Sequence, residues 1–142
     1  MKPFEYYFED NSIRKVSKDP ELAKALIRDM NERIKENFNE DANKKPKTIF
    51  ENIYDSLRAF CDALLALDGF KSYSHEASIV YLLKKGFNVS EISRLDNFRY
   101  KRNGSKYYGK SITPEETKDI KAFYLEIKDK LNKIIKENKL NQ

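Results

Sequence analysis

Residues 48–68 read TIFENIYDSLRAFCDALLALD and are followed by Gly69. Wound at 100° per residue, Ile49, Phe50, Ile53, Tyr54, Leu57, Phe60, Cys61, Leu64, Leu65 and Leu67 cover an arc of about 160°, wider than the stripe of a one-sided surface helix. Such a helix must be covered from several directions, so this segment is expected to be the centre of the molecule. Gly69 marks its end.

The flanking segments supply the cover. Upstream, Asp19-Pro20 reads as a cap followed by a first-turn proline, and Leu22, Leu26, Met30, Ile34 and Phe38 recur every four residues. Residues 37–47, NFNEDANKKPK, dissolve that period into a connecting loop. Downstream, Ser74 is placed to cap a third helix carrying Ile79, Val80, Leu82 and Leu83 to Gly86. Ser90 is the expected cap of a fourth helix with Ile92, Leu95 and Phe98 on one face, broken at Asn103-Gly104. A loop of about eight residues precedes Thr113-Pro114-Glu115-Glu116, a capping box with proline at the first helical position. The final helix gathers Ile120, Phe123, Tyr124, Ile127, Leu131, Ile134 and Ile135 on one arc, with lysines opposite. The expected architecture is an all-α single domain over 1–142. Residues 1–18 would form an irregular hydrophobic strap, and 19–138 an up-and-down bundle of four main helices plus a shorter fifth.

Composition narrows the chemistry. The 142 residues include one cysteine, Cys61, and one histidine, His75, so no disulfide framework and no Cys/His zinc site can form within the chain. No metal or cofactor is expected. No apolar run reaches the ~20 residues that span a bilayer. The opening MKPFEYYFEDN is acidic and aromatic where a signal peptide is basic then aliphatic, so the expectation is a soluble cytoplasmic protein without membrane contact.

The net charge of +5 is unevenly placed. Residues 90–112 carry Arg94, Arg99, Lys101, Arg102, Lys106 and Lys110 against Glu91 and Asp96, so four of the five net charges sit there, among Phe98, Tyr100, Tyr107 and Tyr108. Cations interleaved with aromatics suit phosphates and unpaired bases. Arg102 extends the Ile92, Leu95, Phe98 stripe and therefore points inward, where it requires a carboxylate, helix-end carbonyls, another subunit or an anionic ligand. Its place near the expected helix end favours the carbonyls. On the central helix, Arg58 borders the apolar arc three residues after Asp55, its expected ion-pair partner.

The segments SKDPELAKALIRDMNERI, YDSLRAFCDALLALDGFKSYSHEA and RYKRNGSKYYGKSIT resemble small archaeal members of the HEPN superfamily, and the resemblance covers most of the chain. It implies a helical homodimer with a shared cleft. Active members cut RNA without metal, using an arginine followed after four to six residues by a histidine that serve acid/base chemistry and phosphate stabilisation. Here the corresponding positions after Arg102 are Tyr107, Tyr108 and Gly109, and those after Arg99 are Gly104, Ser105 and Lys106. A tyrosine hydroxyl near pKa 10 is a poor base at neutral pH. The resemblance thus implies a site that binds RNA or a nucleotide without cutting, built from Arg58, Arg99, Arg102, Asn103, Lys106, Tyr107, Tyr108 and Lys110. The catalytic candidates for a ribonuclease with an atypical base are Arg102, Tyr107 and Tyr108. His75 is expected to serve capping or loop hydrogen bonding. The resemblance also implies a toxin–antitoxin role with a nucleotidyltransferase partner, which would adenylylate Tyr107 or Tyr108, or for which the chain would be an interaction module.

Overall fold

The computed structural model describes residues Met1–Gln142. In chain order the elements are α1 (Tyr6–Glu9), β1 (Ile13–Lys15), α2 (Pro20–Asn37), α3 (Pro46–Asp68), β2 (Phe70–Ser72), α4 (His75–Val80) with a 3₁₀ turn (Tyr81–Lys85), α5 (Val89–Tyr108) and α6 (Pro114–Glu137). The protein is all-helical apart from one two-stranded ribbon.

Helix α3 lies at the centre. Thirteen of its residues are buried, enough that every other long helix packs on it. Ser56, Ala59, Ala63 and Ala66 give it a face of small side chains on which α2 approaches closely. The two run antiparallel, with the Asp19 amide on the Ala66 carbonyl at 2.9 Å and Arg33 on Asn52 at 2.9 Å. Helix α5 packs across α3, with Phe98 beside Phe50, Arg102 beside Asp55 and Ser105 beside Glu51. Helix α6 turns back along α5, with Lys101 beside Glu116 and Glu91 beside Lys130.

Local signals set the helix ends. The Asp19 carboxylate accepts from the Leu22 amide at 3.0 Å, Ser74 accepts from Ala77 at 3.3 Å, and Thr113 with Glu116 forms a reciprocal capping box. Gly69 closes α3 at φ +86°.

Four expectations are corrected. The strap is partly ordered: it contains α1 and β1, and Phe4 and Tyr7 are buried while Tyr6 is exposed. The face of α2 that is fully buried is Ala23, Ile27 and Met30; Leu26, Ile34 and Phe38 pack half-buried against the core as expected, and only Leu22, 47% exposed, leaves it. A strict four-residue spacing precesses about 40° per step, which carries Leu22 off the face that holds Met30. The cap of α5 is Asn88, in a capping box with Glu91, rather than Ser90. That helix also runs through Asn103-Gly104 to Tyr108. Gly104 keeps helical geometry under the Lys110 side chain, and the left-handed turn falls at Gly109, φ +66°.

The ribbon closes on α3 through Gly69. The Val16 amide donates to the Gly69 carbonyl at 2.9 Å, and a Cβ on Gly69 would meet the Val16 carbonyl oxygen at 3.0 Å. Gly86 has a similar φ of +91° but open space around it. Gly69→Ala is expected to lower stability by about 1–3 kcal/mol in denaturant unfolding, and Gly86→Ala by clearly less. Equal losses would show that the contact with Val16 contributes nothing.

Candidate functional site

A polar stripe of Glu51, Asp55, Arg58 and Asp62 runs along α3 at helical spacing, interrupting its apolar surface. Each of its three carboxylates recruits a partner from a neighbouring element. The Asp55 carboxylate accepts from Arg102 Nη2 at 3.1 Å and lies 3.8 Å from Arg33 Nη1 of α2. Arg33 is itself fixed by Asp29 and Asn52, each at 2.9 Å. Ser105 of α5 donates to Glu51 at 3.3 Å, and Ser78 of α4 donates to Asp62 at 3.2 Å. Arg58 pairs with Asp62 at 3.6 Å rather than with Asp55, because Asp55 is occupied by arginines from two other helices.

Arg102 is 5% exposed, as its inward register requires. Its partner is a carboxylate and not helix-end carbonyls, since α5 continues well past it. Its guanidinium carbon lies 5.8 Å from the centre of the Tyr54 ring, while Nε and Nη1 make no protein hydrogen bond. The side-chain oxygen of the half-buried Asn103 is likewise unpartnered.

Tyr54 also receives His75. The two rings stack with centroids 6.4 Å apart at 19°, and the Tyr54 hydroxyl lies 3.4 Å from His75 Nδ1, within hydrogen-bond reach. Burial, reinforced by the positive charges of Arg58, Arg102, Arg99 and Lys106, pushes the His75 pKa down to about 4. At neutral pH its imidazole is therefore uncharged. Burial also raises the Tyr54 hydroxyl, which stays protonated. Tyr54 is hidden in the sequence because it sits within the apolar arc, and His75, expected to cap the helix or bond a loop, instead meets Tyr54 while Ser74 supplies the cap. The lone histidine at a helix start was the one available signal.

The remaining candidates divide. Arg99 is held by Asp96 at 2.7 Å, and Arg58 by Asp62, so both are neutralised inside the fold. Lys106 and Lys110 are exposed and form no ion pair. Tyr107 and Tyr108 are 63% and 78% exposed, and they occupy the last turn of α5 instead of a loop. Tyr100, seven residues before Tyr107, shares its helix face and is exposed too. The end of α5 is therefore an aromatic and basic outer surface backed by the Arg102–Asp55–Tyr54–His75 cluster. No group of three or more His, Cys, Asp or Glu is placed to hold a metal ion. Comparison with known proteins returned no matching family model, no matching curated relative and no matching solved structure.

Two outcomes test this cluster. Asp55→Ala strands Arg102 and is expected to cost about 2–3 kcal/mol, while Asp55→Leu/Arg102→Leu recovers most of it; equal losses would show that the pair does not couple. For His75, an ordinary value of 6.5 against about 4 in the fold means that the unfolded chain binds a proton between those values that the native chain does not. Its contribution is complete above about pH 6.5 and is lost as pH falls toward 4. His75→Gln should flatten the stability-against-pH curve in that window, and an unchanged slope would contradict the assignment.

Proposed function

We propose that this chain is a HEPN-like, homodimeric protein that binds single-stranded RNA or a nucleotide at the end of α5 without cutting it. The observation that carries the reading is the outer surface there: Tyr100, Tyr107 and Tyr108 stand in solvent beside Lys106 and Lys110, two cations that no carboxylate neutralises. An exposed ring costs hydrophobic exposure when empty and stacks on any base, and free ammonium groups attract phosphates. Arg102 supports the surface from within, holding α5 on α3 through Asp55. The same exposed tyrosine hydroxyls suit adenylylation by a nucleotidyltransferase partner.

One observation favours a second reading, a metal-independent ribonuclease. His75 and Arg102 pack on the same Tyr54 ring, which brings an imidazole to the arginine although the chain has no histidine four to six residues after it. A neutral imidazole accepts a proton, but one with a pKa near 4 is a weak base at pH 7, which favours binding over cleavage.

Fluorescence anisotropy with a labelled oligouridylate tests the first reading. Tyr107→Ala/Tyr108→Ala is expected to weaken affinity by about 1–3 kcal/mol per base unstacked. Lys106→Ala/Lys110→Ala should lower the slope of log affinity against log salt by about 1.4. Unchanged affinity and slope in both variants would overturn the proposed surface. In EDTA the RNA should stay intact; cleavage that disappears in His75→Gln would instead establish the ribonuclease.

A further inference from the structure

Far from α5 in sequence, the two-stranded ribbon gathers a second concentration of positive charge. Residues 12–18 and 69–73 contain Arg14, Lys15, Lys18 and Lys71 and no carboxylate. All four are exposed and none forms an ion pair. The register sets Arg14 directly across from Lys71, a like-charge pair that disfavours the ribbon. Both cations lean over one ring, that of Tyr73, with Arg14 at 5.3 Å and Lys71 at 5.4 Å from its centroid. Tyr73 is nevertheless 59% exposed. Ile13 holds the other side of the ribbon in the core, so this arrangement is fixed in place rather than trailing in solvent.

A cross-strand repulsion that no internal anion relieves is relieved by an external one. We infer that the β1–β2 ribbon is a second contact surface for single-stranded RNA, in which Arg14 and Lys71 straddle a phosphate and Tyr73 stacks an adjacent unpaired base. The inference rests on the RNA-binding reading of α5 and extends it from a single nucleotide to a strand. The chain leads directly from one surface to the other: Tyr73 is followed by the Ser74 cap and by His75, which stacks on Tyr54 beside Arg102. A strand seated on both would cross α4. The polarity of the ribbon matches this occupant better than an apolar partner, since cations and one amphipathic ring make up its outer face.

The experiment compares labelled oligouridylates of about 5 and about 20 nucleotides, a range that brackets the footprint of one small binding domain. Wild-type protein is expected to bind the longer strand more than tenfold tighter. Arg14→Ala/Lys71→Ala/Tyr73→Ala should erase that gain, reduce the salt slope on the longer strand by about 0.7, and leave the shorter strand's affinity unchanged. Its melting temperature should hold or rise, because the like-charge pair is gone, which separates lost binding from lost folding. Lys106→Ala/Tyr108→Ala should weaken both lengths. If the ribbon variant binds both strands with wild-type affinity and slope, the ribbon inference falls while the α5 reading stands. If wild-type protein binds neither strand at low salt, both fall. A duplex of the longer length that loses as much affinity as the single strand in Tyr73→Ala overturns the stacking role.

Discussion

Helix α3 is apolar over so much of its circumference that it is stable only when wrapped, and the other elements are arranged by that requirement. Phe50, Ile53, Tyr54, Phe60 and Leu64 are each almost completely withdrawn from water, and each contributes about 1.5–3 kcal/mol of hydrophobic burial. Helix α2 takes the small-residue face, and α5 and α6 take the aromatic side through Phe98 and Phe123. What the wrapping leaves is a narrow polar stripe, Glu51–Asp55–Arg58–Asp62. Because that stripe lies partly out of solvent, its charges need partners, and they select Arg33, Arg102, Ser78 and Ser105 from three different helices. Packing thus dictates where polar chemistry sits.

The same wrapping has a consequence for the surface. Arg58, Arg99 and Arg102 are drawn inward and neutralised by Asp62, Asp96 and Asp55, so they hold the fold more than they meet ligands. Among the cations that form no ion pair are Lys106 and Lys110 at the end of α5 and Arg14, Lys15, Lys18 and Lys71 of the ribbon and its flanks. Both groups lie beside exposed tyrosines.

Periodicity made the helices legible. The central helix, its Gly69 stop, the Asp19, Ser74 and Thr113 caps and the buried face of α6 follow from short-range rules that operate within a few residues. The inward direction of Arg102 was legible for the same reason. Errors arose where a local signal was overruled: Gly104 reads as a breaker, yet the Lys110 side chain covers it and α5 continues. Part of the strap became a strand because a second edge, Phe70–Ser72, stands ready to pair with it.

By itself the sequence determined the helical class, the central segment, most helix ends and the basic, aromatic character of residues 90–112. Those properties depend on neighbours three or four positions apart, which a chain displays in order. Tertiary structure alone decided that Asp55 would neutralise Arg102, that His75 would lie on Tyr54, and that Arg14 would face Lys71 across a ribbon. Each of these joins residues separated by 21 to 57 positions, and which carboxylate, ring or cation meets which is fixed only once the helices have packed around α3.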